Sequence, residues 1–373
     1  MLLVSIATFI IILVLAVFLF IRFNPEFGGK QSEADKLQYA KLDHYQDGGF
    51  VNLIPTYTME VNAKNIYGFF KEQFTNKEQR APEKKLMPEK LDSLEIVNNL
   101  KTRITWFGHS TILLELDGSK ILIDPMLGDV PAPHPMLGKA RFVKELPIAI
   151  EKLPYLDAVV ISHDHYDHLD YGSIQKLKDK VGRFFVPLGV DAHLEAWGVD
   201  PSKIESLNWW DETELKGIKM AFAPSRHFSG RGIGDSNATL WGSWIFKGNE
   251  DKIYFSGDGG YGPHFKEIGE KYGPFDFAMV ECGQYDERWS QIHMMPEESV
   301  QAGQDVGARA IMPIHWGTFV LAFHDWRDPV ERATSKAEEL GIPIITPKIG
   351  EAFTMDELNN KFPRWWEQPN VVN

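Results

Sequence analysis

Positions 2–21 carry no charge, and only Ser5 and Thr8 among them are polar. A helix over such a run is roughly 30 Å long at 1.5 Å of rise per residue, which matches the hydrocarbon thickness of a bilayer. No basic residue precedes the run, and Phe18-Leu19-Phe20-Ile21 offers no small-residue cleavage site. The pattern therefore predicts an uncleaved single-pass transmembrane anchor rather than a signal peptide. Arg22 and Lys30 follow it, a bias that places the rest of the chain in the cytoplasm.

Positions 23–99 are polar, with prolines at 25, 55, 82 and 88, and read as a tether followed by an extension lying on the main domain. Glu83-Lys84-Lys85 fits a solvated face. Phe50-Val51-Asn52-Leu53-Ile54-Pro55 is apolar enough to dock somewhere. From position 102 the pattern changes to short apolar runs. Strands are predicted at 102–107, 111–116 and 120–123, the last two joined by the hairpin signal Asp117-Gly118. The unbroken run 158–161 predicts a strand buried on both faces. Further strands are expected at 184–187, 204–209, 218–223, 241–247, 252–256, 275–280, 309–314 and 344–346. Helices are expected at 173–180, 263–272 and 296–306, and a further one carries Val330, Ala333, Ala337 and Leu340 on one face. Gly341 and Pro343 stop that last helix. A strand-rich half followed by alternating strands and helices suits an α/β (α+β) four-layer αββα sandwich. The expected division is an anchor at 1–22, the extension at 23–99, a catalytic domain at 100–350 and a tail at 351–373.

Composition narrows the function. The chain has 373 residues and a net charge of −13, without the basic footprint of a general nucleic-acid binder. A single cysteine, Cys282, excludes a disulfide framework and a Cys-rich zinc site, and it sits in no cysteine-protease signature. The twelve histidines are the informative resource.

Directly after the predicted buried strand comes Ser162-His163-Asp164-His165-Tyr166-Asp167-His168, an H-x-H-x-D-H pattern. One loop thus carries three imidazoles and a carboxylate, the donor set that suits zinc and similar ions. A surface loop rich in histidine by chance is the bland alternative, which this spacing at the end of a core strand disfavours. Three more candidates stand at strand ends: His227 in Pro224-Ser225-Arg226-His227, Asp258 in Ser256-Gly257-Asp258-Gly259-Gly260, and His315 in Pro313-Ile314-His315-Trp316-Gly317. Each is weak alone; an Asp between glycines is usually a turn residue. Together the seven exceed one tetrahedral site, and a bridging carboxylate would let them hold two ions.

These segments resemble the metallo-β-lactamase fold. With Trp106-Phe107-Gly108-His109-Ser110-Thr111, Leu122-Ile123-Asp124-Pro125, Arg288-Trp289, His293-Met294-Met295-Pro296-Glu297-Glu298 and His315-Trp316-Gly317-Thr318-Phe319, the chain is similar to the N-acylphosphatidylethanolamine-hydrolysing phospholipase D family and its bacterial relatives over roughly residues 50 to 350. The resemblance implies His163, His165 and His227 on one ion, Asp167, His168 and His315 on the other, and Asp258 between them. It implies that Asp124 orients a ligand and that His293 lies near the substrate; His109 and His324 carry less signal. The implied cofactors are two divalent ions, zinc first, with iron or manganese as alternatives, and a homodimer is the implied assembly. The departures are Arg226 before His227 and the polar Glu281-Cys282-Gly283-Gln284.

The chemistry expected is hydrolysis by water that the ions bring to a pKa near 7, so no Ser or Cys nucleophile is needed, and Asp167 or Asp258 holds the proton. Three functions compete. The first is a phospholipase D-like phosphodiesterase releasing phosphatidate from a membrane glycerophospholipid. The second is a lactonase or other small-ester hydrolase. The third is a non-catalytic membrane-anchored metal-binding protein, which the complete ligand set disfavours. An acyl groove is expected from the apolar loop 125–137 and from Trp316, Phe319, Phe323, Trp326 and Trp365-Trp366, although ordinary core packing is the plainer reading of each aromatic.

Overall fold

The computed structural model describes residues 2–371 apart from 60 and 76, and of 2–4, 7 and 78 only the backbone. Two sheets face each other. The first is built from β1 (Arg103–Trp106), β2 (Ile112–Leu116), β3 (Ser119–Ile123), β4 (Leu156–Val160), β5 (Val181–Pro187) and β6 (Ile204–Leu207). The second is built from β7 (Glu212–Leu215), β8 (Ile218–Ala223), β9 (Ser243–Lys247), β10 (Lys252–Phe255), β11 (Phe277–Glu281) and β12 (Ile311–Ile314). A last strand, β13 (Ala352–Thr354), returns to the first sheet, whose order is β13-β1-β2-β3-β4-β5-β6; the second runs β12-β11-β10-β9-β8-β7. Pairing is antiparallel at the start of each sheet and parallel from β3 to β6 and from β10 to β12.

Alternation within each strand explains the layers. In β2, Ile112, Leu114 and Leu116 enter the core between the sheets while Leu113 faces the outer helices. The odd polar residue, Glu115, is buried against Arg103, Nε to Oε2 2.6 Å. In β8, Met220 and Phe222 face inward and Ala221 and Ala223 outward. Such strands are apolar on both faces, which is why they read as near-continuous runs. Two helices cover the first sheet, α5 (Tyr171–Leu177) and α6 (Asp191–Ala196), and three cover the second, α7 (His264–Tyr272), α8 (Pro296–Asp305) and α9 (Asp328–Leu340). Gly341 ends α9 with φ 69°, the left-handed conformation expected of a helix-stopping glycine. The predicted αββα architecture is the one observed.

The differences have physical causes. The strand expected at 344–346 reduces to an isolated bridge between Ile344 and Ile311. The sheet edge is completed instead by β13, from the stretch expected to be a tail, and Trp365 and Trp366 from that stretch enter the core. Strand β7 escaped prediction because it is an edge, with Glu212 and Glu214 exposed. The extension forms α2 (Glu33–Tyr39), α3 (Ala63–Glu72) and α4 (Ser93–Asn98), and it lends Phe50 and Leu86 to the inter-sheet core.

The apolar N-terminus forms α1 (Leu2–Phe23), with Phe9, Ile11 and Phe18 exposed. Among the described residues no helix is long and apolar enough to cross a membrane. The expected transmembrane anchor is therefore unsupported, and with it the single-pass cytoplasmic placement. The helix ends on Arg22-Phe23, where it meets the body of the protein. Its base is fixed to the body of the protein: Phe20 packs edge-on against Phe27, and Asn24 Nδ2 donates to Pro133 O at 2.7 Å.

Trp244 on β9 joins the two sheets. It is fully buried between them and its Nε1 donates to Ile161 O, the residue after β4, at 2.8 Å. Trp244→Ala is expected to cost about 3–5 kcal/mol, from lost burial and the cavity left behind, read as a fall in the midpoint of denaturant unfolding.

Candidate metal centre

Every candidate ligand follows the C-terminal end of a strand. His163, His165, Asp167 and His168 follow β4; His227 follows β8; Asp258 follows β10; His315 follows β12. Parallel neighbours place their C-terminal ends side by side, so loops distant in sequence meet at one end of the sandwich. The crowding shows in the backbone. His109, Asp124 and His315 have φ of 53°, 43° and 67°, a left-handed conformation that non-glycine residues adopt at some energetic cost.

The seven side chains converge. His163 Nε2 and His227 Nε2 lie 2.9 and 3.2 Å from His165 Nδ1, forming one triad of ligand atoms. Asp167 Oδ2 lies 3.5 Å from His168 Nε2 and 3.2 Å from His315 Nε2, forming a second. Asp258 Oδ2 sits between them, 3.0 Å from His168, 2.9 Å from His315, 3.9 Å from His163 and 4.0 Å from His227. All but His165 and Asp167 are buried, so the site opens on the side where those two and His293 stand.

Asp124 is placed at the site rather than in a solvent turn. Fully buried, it accepts from Ser162 N at 2.7 Å and from Ser162 Oγ at 2.6 Å, and its Oδ2 lies 2.8 Å from His168 Nδ1. That contact leaves Nε2 of the same ring to face Asp258. His293 lies at the edge: Nδ1 pairs with Glu281 Oε1 at 2.9 Å, and its ring stacks on His315 with centroids 5.3 Å apart. Two groups were undervalued from sequence. His109 reaches Asp167 Oδ2 at 2.9 Å and joins Asp167, His168 and His315 as a fourth potential ligand. Glu281, fully buried, also accepts from Met294 N at 3.1 Å. A His in a strand-end Gly-His-Ser and a carboxylate closing the apolar strand β11 were the available signals.

Other candidates fall elsewhere. Asp164 turns away from the cluster to His193 and Gly230 N. His324 accepts from Gln284 N and stacks on Tyr285, a structural role. Burial pushes the Cys282 thiol up, away from nucleophilic use. The aromatics expected to line an acyl groove are largely core: Trp316 stacks with Trp365, and Phe319 and Trp366 are buried. Large flat side chains flanking a ligand read alike from sequence whether they line a groove or fill a core. Met126 and Leu127 are also buried, whereas Met136 and Leu137 are 86% and 64% exposed.

A beta-lactamase superfamily domain profile matches residues 119–316, just over half of the chain. The chain belongs to the beta-lactamase superfamily. An uncharacterized Mycobacterium tuberculosis protein is 39% identical to it over 329 residues, 87% of each chain. The N-acyl-phosphatidylethanolamine-hydrolyzing phospholipase D 1 of Caenorhabditis elegans is 34% identical over 264 residues, 66% of this chain and 74% of that protein. Among solved structures, an isothiocyanate hydrolase from Delia radicum gut bacteria superposes with a TM-score of 0.54 at 23% identity, over 68% of this chain and 98% of that one, which shows the fold.

As a member of this superfamily the chain is a metal-dependent hydrolase by fold, and its residues fit divalent ions. Burial and neighbouring rings hold the His163 and His227 imidazoles well below their ordinary range, so both offer neutral nitrogens. At His168 and His315 burial also opposes charge, but Asp258 and Asp167 outweigh it, holding His168 well above its range and His315 at about 10. The cluster thus demands positive charge beside its two carboxylates, where a cation serves better than a proton. Asp258 Oδ1 is buried with no hydrogen-bond partner among the described residues, an acceptor left over for a metal. Elemental analysis of protein purified without chelators is expected to find close to two transition ions per chain. Asp258→Ala should lower occupancy of both. Asp124→Ala should weaken only the ion at His168, by roughly 10- to 100-fold, since it removes the group that fixes that ring.

Proposed function

We propose that the protein is a dinuclear phosphodiesterase that cleaves a membrane glycerophospholipid on the phosphatidate side, as a phospholipase D does. The observation that carries the reading is Asp258 Oδ2, within 4.0 Å of nitrogens from both ligand triads. A shared carboxylate would hold two ions close enough to grip one phosphate group. The worm phospholipase's likeness over 74% of its length supports this substrate class.

His163, His165 and His227 would hold one ion, Asp167, His168 and His315 the other, and Asp258 both. Zinc suits this nitrogen-rich donor set best. Such ions supply Lewis acidity and water ionised at neutral pH. The chain's own side chains do the rest. Asp167, on the open side, accepts the proton of the attacking water. His293, its Nδ1 held by Glu281, keeps Nε2 to protonate the departing headgroup oxygen. The exposed Met136 and Leu137 offer an apolar contact for lipid beside the base of α1.

The burial of Trp316, Phe319 and Trp366 favours a second reading, hydrolysis of lactones or other small esters, because it removes the acyl groove expected there. A panel of both substrate classes separates the two. Zinc-loaded protein is expected to release phosphatidate from N-acylphosphatidylethanolamine or a related phospholipid, detected by mass spectrometry, to lose that activity in chelator and to regain it with zinc. Turnover of lactones with every phosphodiester intact would instead establish the second reading.

A further inference from the structure

We propose that Asn52, in the N-terminal extension, is a positioning residue for the metal ligand His227, so that the extension completes the metal centre. The proposal rests on the metal-centre reading above. Asn52 Nδ2 donates to His227 O at 2.7 Å, and Asn52 Oδ1 accepts from His227 N at 3.0 Å. The side-chain amide thus satisfies both main-chain groups of one residue, as a neighbouring strand would. Only a primary amide offers a donor and an acceptor at this spacing, and His227 leaves one sensible assignment of the two amide atoms.

The need is local. β8 ends at Ala223 and β9 begins at Ser243, so His227 lies in an irregular stretch with no sheet partner. Apart from the other candidate ligands, its ring is held at Nδ1, by Ile292 O at 2.9 Å. Asn52 supplies the missing ladder. Trp241 Nε1 bonds Asn52 Oδ1 at 3.3 Å and Ser225 O at 3.2 Å, joining the clasp to the same stretch.

Residues on both sides of Asn52 are pinned around the ligand. Phe50, fully buried, donates its N–H to Asn237 O at 2.8 Å, and Tyr57 N donates to Gln291 Oε1 at 2.9 Å. Arg226, the residue before the ligand, holds Thr56 Oγ1 at 3.0 Å and Pro55 O at 3.2 Å. The charged residue that departs from the family pattern thus straps the apolar segment 50–55 over the loop carrying His227.

The test uses the full chain, with zinc and cobalt(II) as probes. Asn52→Ala is compared with Leu53→Ala, a half-exposed neighbour on the same segment. Asn52→Ala should bind one ion like the wild type and the other about 10-fold or more weakly in chelator competition, the range seen when a partner of a metal ligand is removed. The cobalt visible bands of the weakened ion should shift. Asn52→Asp, which keeps the acceptor and loses the donor, should fall between. Leu53→Ala should match the wild type, and the metal-free variants should melt within a few degrees of one another. Unchanged affinities and bands in Asn52→Ala would overturn the proposal alone. So would equal loss of both ions with a lowered metal-free melting temperature, which marks a residue serving only the fold. A wild-type protein that binds no ion would overturn the metal-centre reading as well.

Discussion

Five imidazoles and two carboxylates share a nearly dry volume around Asp258 Oδ2, and much of the surrounding architecture serves to make that tolerable. A carboxylate at 2% exposure is costly unless positive charge or strong hydrogen bonds face it. In the bare protein, burial opposes ionisation of Asp258, but His168 and His315 outweigh it, and the carboxyl is held well below its ordinary range. The same two rings are held protonated by that carboxylate. Divalent ions held by these residues would replace the shared protons with fixed charges. The ring of outer contacts then becomes intelligible: Asp124 on His168, Ile292 O on His227 and Gly283 O near His315 each occupy the nitrogen facing away from Asp258.

Fixing so many rings needs rigid supports. The sandwich provides them by ending β4, β8, β10 and β12 at the same edge. Strain collects there as well. The positive φ values of Asp124 and His315 turn the chain immediately after β3 and β12, so that each side chain points back across the strand ends. Backbone held this way persists only where packing overdetermines it, and Trp106, Trp244 and Trp316 fill the core directly beneath.

Much of this was legible in the sequence because the relevant signals are local. An apolar run followed by H-x-H-x-D-H marks a core strand and the loop it carries, and helix caps such as Gly341 mark their own ends. Signals that depend on distant partners were not legible. Strand β13 and edge strand β7 lack apolar runs, being stabilised by their neighbours in the sheet. His109 and Glu281 gain meaning only when Asp167 and His293 are brought to them. The aromatics near His315 show the reverse case: their chemistry was plain, but only the fold decides which surfaces they cover. The apolar run at the N-terminus did form a helix, yet hydropathy alone overstated what that helix supports.

The distribution of contacts also separates what the superfamily domain supplies from what the rest of the chain adds. The superfamily match covers residues 119–316, which include all seven candidate ligands and none of the supports from earlier in the chain. His109, Asn52 and the strap at 55–57 lie before that stretch, and each touches the cluster or the backbone that carries it. The loops carrying the candidate ligands therefore lie within the superfamily domain, while part of their support comes from residues before it. Arg288 is tied to Glu72 of α3 at 2.5 Å, and Gln291 to Tyr57. The extension thus braces the sandwich at two places, the backbone of the His227 loop and the turn carrying Arg288 and Gln291 ahead of His293, and neither support comes from the two sheets themselves.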